Sequence, residues 1–307
     1  MKRKNEIQSS KRNRLIRQFV YYFLRYLSKK NSVRHPTMVG FSYDAISHKI
    51  NVDGLYEVDE LEALSKILGL NAKRHSTALD VGANIGNHAI YFSRFFSKVI
   101  AFEPNPKTYR LLDINTEHIS NIETKKVGLS DKKDTLNFKI DKTNWGASRI
   151  TGEDLSIDGT SFISIHVESL DEVLSDQSSQ IELMKIDVEG HELRVLQGAK
   201  RTIEHHKPII LFEEACVREG SSEVIDLLRT YGYSFFILEE NFSFGRSKVA
   251  IFLKLLMQDI FGKRICVKQR EVFEDRFYHF IIAMPHSKQD LLSNVSLADI
   301  QDVQSCF

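Results

Sequence analysis

The chain has 307 residues, a formal net charge of +1 and 42% hydrophobic residues, which fits one globular catalytic domain with appendages better than two equal domains. Its three cysteines, Cys216, Cys266 and Cys306, are too far apart for zinc-ligand or redox spacing and point to a reducing compartment. No secretory signal pattern and no run of about 18 to 20 apolar residues is present, so the sequence predicts a cytoplasmic protein, peripheral at most to the inner face of the membrane.

The first 35 residues carry eleven Lys and Arg against the single acid Glu6, a balance of +10 that leaves −9 on the remainder. Within this arm Leu15, Phe19, Phe23 and Leu27 recur every four residues over Arg14 to Leu27. That spacing predicts a helix for an anionic membrane surface, or one docked on its own catalytic domain or a second subunit. Nucleic acid is a weaker partner, since no recognised motif accompanies the charge. Residues 36–290 then read as the catalytic domain and 291–307 as a tail. His35 to Asp53 is predicted as short strands and turns, and Glu57 to Leu70 as a helix with Val58, Leu61, Leu64, Ile67 and Leu68 on one stripe.

Thr77 to Val81 reads as a buried strand that turns through Gly82 and Gly86 into a helix over Ile85 to Phe95. A second apolar strand, Val99 to Phe102, ends at Glu103, whose carboxylate suits two ribose hydroxyls. Asn84 and Asn87 stand where a dinucleotide fingerprint has glycines, so a pyrophosphate is poorly served and a nucleoside cofactor is favoured. A helix over Pro106 to Ile119 and a strand near Thr124 to Gly128 continue the alternation, which means a parallel sheet covered on both faces. Between Thr135 and Val167 the apolar residues alternate, predicting inserted antiparallel strands. The αβ series resumes with Glu182 to Asp187, Glu192 to Ile203, Pro208 to Glu213, Glu223 to Tyr231 and Tyr233 to Leu238, and Phe277 to Ala283 supplies the last strand. Ser247 to Phe261 reads as an amphipathic or buried helix.

Three segments taken together, Asp80-Val81-Gly82-Ala83-Asn84-Ile85-Gly86, Phe102-Glu103-Pro104 and Lys185-Ile186-Asp187-Val188-Glu189-Gly190-His191-Glu192, resemble the signatures of FkbM-type methyltransferases. The resemblance runs from about Tyr56 to about Glu213. It implies a class I, Rossmann-like methyltransferase sheet and O-methylation with S-adenosyl-L-methionine of a glycan or small-molecule hydroxyl, on sugars, glycolipid components or natural products.

The candidate cofactor-binding residues are Tyr56, Glu57, Asp80, Gly82, Ala83, Asn84, Gly86, Asn87, Glu103, Asp131 and Asp187. Tyr56-Glu57 resembles the family's segment near the methionine end, although Glu57 is also a plain helix-start acid. The resemblance sets Asp131 at the adenine amino group; an Asx turn closing the strand explains it equally. Asp187, Glu189 and His191 are the catalytic candidates, expected to converge over the methyl group. His191 is the best general base, with a carboxylate-bonded helix-start residue as its alternative. Glu192 reads as dipole compensation. No metal site is assigned, although Asp187, Glu189, His191 and Glu213 together could hold a divalent cation. Asn144 to Ser148 resembles a family loop that contacts cofactor or acceptor. A nicotinamide-dependent oxidoreductase is disfavoured by the broken fingerprint, and a non-catalytic membrane-associated scaffold by the acids at several strand ends.

Overall fold

The computed structural model describes residues 14–31, 35–70, 74–140, 149–151, 161–175, 178–214, 222–240 and 265–293. Asn144 to Ser148, the helix expected over Ser247 to Phe261, Cys216, Cys306 and most of the tail lie outside the described residues. The chain forms two compact units, Met1–Tyr56 and Glu57–Phe307.

The first unit holds α1 (Arg14–Asn31) and α2 (Ala45–Asp53). Strands and turns were expected where α2 forms. Its stop and start signals are local: the Asp44 carboxylate accepts the Ser47 N–H at 3.2 Å, and Gly54, left-handed at φ 89°, ends it.

The second unit begins with α3 (Val58–Ile67), which buries Leu61, Ala63, Leu64 and Ile67. It then builds β1 (Arg74–Val81), α4 (Asn87–Phe92), β2 (Phe96–Phe102), α5 (Pro106–Thr116) and β3 (Ile122–Lys125). Pro106 sits in the first turn of α5, where its missing N–H costs nothing, and Asn105 caps that turn by accepting the Lys107 N–H at 3.1 Å. The single strand expected near Thr124 to Gly128 is two: β3 belongs to the main sheet, and β4 (Gly128–Ser130) leaves it to pair with β7 (Ser161–Ser169). With β5 (Asp134–Ile140) and β6 (Arg149–Thr151) these make a four-stranded sheet in the order β4-β7-β5-β6, antiparallel from β7 onward, as the alternating pattern predicts.

The series resumes with α6 (Leu170–Val173), β8 (Ile181–Ile186), α7 (Glu192–Gln197), α8 (Lys200–His206), β9 (Ile209–Glu214), α9 (Glu223–Thr230), β10 (Tyr233–Glu240), β11 (Ile265–Arg270) and β12 (Tyr278–Pro285). One helix was expected over Glu192 to Ile203, but it breaks at Gly198 and Ala199. There the backbone passes so close to β4 that a Cβ on Gly198 would lie 1.9 Å from the Ser130 carbonyl oxygen.

The main sheet has the order β11-β10-β12-β9-β8-β1-β2-β3. β9, β8, β1, β2 and β3 are parallel, while β12 is antiparallel to both its neighbours. Leu79, Val81, Ile100, Phe102, Met184, Ile186, Ile210 and Phe212 are buried along these strands, which explains their nearly unbroken apolar runs. The chain reverses direction across the sheet between β1 and β8, and ligands of open α/β sheets bind beyond the carboxyl ends of strands at such a switch point.

Candidate active site

At that switch point the ends of β1, β2 and β8 surround a cleft that opens to solvent, with about 640 Å³ of free space once its open mouth is included. Gly82 is the hinge. Its φ is 79°, and a Cβ there would lie 1.8 Å from the Asp187 carbonyl oxygen, so the two loops approach each other only because this side chain is absent. The Gly82 and Ala83 N–H groups donate to the Phe102 carbonyl at 3.0 and 2.9 Å, and the Asp187 N–H to the Val81 carbonyl at 3.0 Å. Behind them Gly86, at φ 95°, lets α4 start with Leu112 of α5 close by, where a Cβ would meet the Leu112 side chain at 2.9 Å. Asn87, the first residue of α4, is buried.

Glu103 lines the pocket and is almost fully buried. Its carboxyl accepts the Asn84 N–H at 3.0 Å and the Asn105 N–H at 2.8 Å. Burial pushes it up to about 8, against the pull of those two N–H groups. Asn84 and Glu189, both on the wall, hold positive φ angles of 51° and 53°. Such conformations are costly outside glycine and cluster at functional sites.

Register sets the charges. Asp80 and Lys185 are neighbours across the β1–β8 ladder, and Asp187 follows two residues later. The Lys185 ammonium donates to Asp187 at 2.9 Å and lies 3.7 Å from Asp80. Burial alone would lower its pKa, but Asp187 and Asp80 outweigh that and the net shift is upward. Asp80 is fully buried and neither of its carboxylate oxygens has a hydrogen-bond partner. Two further buried polar atoms on pocket residues are also unpartnered, Nδ2 of Asn105 and Oγ1 of Thr108. Asn105 and Thr108 thus bring two orphaned polar atoms to the pocket lining, as expected of a cradle for a polar ligand.

Pro104, Val127, Gly128, Leu129 and Phe138 complete the wall. Sequence reasoning missed this apolar side, because β4 and β5 belong to a second sheet whose placement no local pattern encodes. It also gave Lys185 no role, although a lysine inside an apolar strand two residues before an aspartate was the available signal.

The catalytic trio divides. Asp187 and Glu189 line the pocket. His191 stands just before α7 without a side-chain bond to its first turn, and lies in a separate recess with Asp131 and Arg194. Its Nε2 is 3.0 Å from Ser130 Oγ, and burial lowers its pKa, helped by Arg194. The expected convergence of all three over one methyl group is therefore not what the structure shows: the Val188 and Gly190 N–H groups both donate to Glu192 Oε1, at 3.3 and 3.1 Å, and this loop turns His191 toward β4. Asp131 accepts from Ser130 Oγ and Arg194 at 3.0 and 3.1 Å. Partial burial raises its pKa, but these donors and the Arg194 charge leave it lowered.

A second convergence lies on the Asp187 side. One carboxylate oxygen each from Glu57 and Glu213 and one ring nitrogen of His279 fall within 4.8 Å of one another. Glu57 has φ 55° and a carboxylate 3.1 Å from Nε2 of the buried His88. Burial, then the Asp187 charge, pushes Glu213 up to about 9. Of the four cation ligands considered from sequence, Glu213 alone belongs to this cluster. Tyr56 is half-buried at the end of the first unit.

A family model described as the methyltransferase FkbM domain matches residues 80–235, half of the chain. The chain belongs to the FkbM methyltransferase family. Over 182 residues it is 29% identical to the hexuronic acid methyltransferase AglP of Haloferax volcanii, covering 57% of this chain and 73% of that protein. It is also 29% identical over 189 residues to the methyltransferase sdnD of Sordaria araneosa, covering 51% and 72%. A solved methyltransferase FkbM from Methylobacillus flagellatus KT aligns at 16% identity and a TM-score of 0.38, covering 75% of this chain and 56% of that one. The FkbM span contains Asp80, Gly82, Glu103, Asp187 and Glu213, whereas Glu57 and His279 lie outside it.

Proposed function

We propose that the chain is an S-adenosylmethionine-dependent O-methyltransferase acting on a hydroxyl of a sugar, glycolipid or related polyhydroxylated acceptor. The observation that carries this is the pocket at the β1–β8 switch point, where Glu103, Asp187 and the orphaned polar atoms of Asn105 and Thr108 meet around the Gly82 turn. Those residues fit the nucleoside. Glu103 would accept the ribose hydroxyls, Asp187 the amino group, and Val127, Leu129 and Phe138 would pack on the base. Bound there, S-adenosylmethionine supplies an electrophilic methyl group on sulfur.

Asp187 and Glu189 then orient the acceptor hydroxyl. Glu213, whose environment gives its carboxyl a high proton affinity, takes the hydroxyl proton in its ionised form, with Glu57 and His279 beside it. His191 joins α7 to β4 through Ser130 instead of serving as the base. The relationship to a hexuronic acid methyltransferase makes hexuronic acids the first acceptors to try. The test is incubation with S-adenosylmethionine carrying a labelled methyl group and a panel of hexuronic acids, neutral hexosides and glycolipids, followed by mass spectrometry. Label should enter a hydroxyl of at least one; transfer only to nitrogen or carbon acceptors would overturn the reading.

A further inference from the structure

We propose that α1 is an in-plane anchor that seats this protein on the surface of an anionic lipid bilayer. Projected at 100° per residue, its 18 residues split into two faces. Leu15, Ile16, Phe19, Val20, Phe23 and Leu24 fall within an arc of roughly 200°, while Arg14, Arg17, Arg25 and Lys29 fall within the rest, and the helix carries no acid. The apolar face is open: Leu15 is 82% exposed, Phe19 71% and Ile16 62%. The rings of Phe19 and Phe23 stack on it with centroids 6.2 Å apart. Lys30, the one cation that intrudes on this face, stands in the last turn, where its long stem can carry the ammonium out to the headgroups.

The charge argues against a second copy as the occupant. A second copy of α1 would bring five more cations against the first five, and like charges repel. A bilayer rich in anionic lipid meets both faces at once, apolar residues entering the acyl boundary and basic ones resting among phosphates. Crossing the bilayer is a different matter. No helix among the described residues is long and apolar enough to span it, so α1 lies along the surface. Lys2, Arg3, Lys4, Lys11 and Arg12 precede it in the sequence and extend the same charge.

The test is co-sedimentation of the full chain with vesicles of phosphatidylglycerol and phosphatidylcholine in equal parts, and with vesicles of phosphatidylcholine alone. Wild-type protein should bind the mixed vesicles at least tenfold more tightly, with affinity falling as salt is raised. F19S/F23S and R14Q/R17Q/R25Q should each lose at least tenfold on the mixed vesicles while keeping wild-type thermal unfolding. Binding that is absent in the wild type, equal on both vesicle types, or untouched by F19S/F23S would overturn the proposal. So would a concentration-dependent dimer, seen by light scattering, that the same substitution dissolves without any effect on vesicles. The readout is independent of methyl transfer, so failure here leaves the proposed chemistry standing.

Discussion

Replacing Glu103 with Gln separates two roles of one buried carboxyl. In the folded protein burial holds this group near pKa 8, against about 4.3 for an unperturbed glutamate. The native state therefore binds more protons than the unfolded chain between those values, and stability falls as pH rises through the window. Each pH unit inside it is worth about 1.4 kcal/mol, so between about pH 5.5 and about pH 8 the wild type should lose up to about 3 kcal/mol relative to E103Q, which has nothing to ionise. Gln can still accept one of the two backbone N–H groups that now reach Glu103, much as the protonated acid does. Near pH 6 the variant should thus fold within about 1 kcal/mol of wild type. Ligand binding should respond differently. At about pH 9, where most of the wild-type carboxyl is ionised, losing an ionised acceptor for ribose hydroxyls costs about 1.5 to 3 kcal/mol, so S-adenosylhomocysteine affinity should drop there by roughly 10- to 150-fold. Urea unfolding at both pH values, paired with ligand titration, measures both effects. A variant with unchanged affinity, or one whose stability tracks the wild type across the pH range, would refute the assignment of Glu103 as the ribose-binding acid.

The remaining predictions concern the same pocket. Gly82→Ala forces a Cβ against the Asp187 carbonyl and should destabilise the fold by roughly 1 to 3 kcal/mol in thermal unfolding while abolishing S-adenosylhomocysteine binding; an unperturbed melting curve would mean the loops part without cost. Lys185→Met leaves the Asp80 and Asp187 carboxylates without the ammonium beside them and should cost about 3 to 5 kcal/mol, most of it recovered in D80N/K185M. Asp187→Asn should lower kcat at least tenfold, about 1.4 kcal/mol, whereas His191→Ala, in the separate recess, should leave kcat within about threefold (under 1 kcal/mol) and act on stability. Because Glu213 is pushed up to about 9, its ionised fraction grows with pH, so kcat/KM should rise between about pH 6.5 and about pH 9 and lose that limb in E213Q.

The parallel sheet was legible because β1, β2, β8 and β9 are local apolar runs ended by a glycine or an acid, as in Thr77 to Gly82 and Val99 to Glu103, whereas the short polar β3 is not such a run. The cofactor turn was legible for a related reason: Gly82 and Gly86 both hold positive φ angles that a sequence can announce only through glycine. What failed to show was set by distance. Glu57, Glu213 and His279 come from the start of α3, β9 and β12, and no local spacing links them. His191 was read from its chemistry, but its direction depends on how Glu192 closes the preceding loop and on where β4 passes, a contact with Ser130 across 61 positions. The helix α2 was missed for the opposite reason: its cap at Asp44 and its stop at Gly54 are both in the sequence, but its apolar pattern is too short to stand out.

The most direct measurement is isothermal titration of the full chain with S-adenosylhomocysteine, with NAD as the comparison. One site of micromolar affinity for S-adenosylhomocysteine, and no heat with NAD, is the result this account predicts. A folded sample that binds NAD, or neither nucleoside, would contradict it.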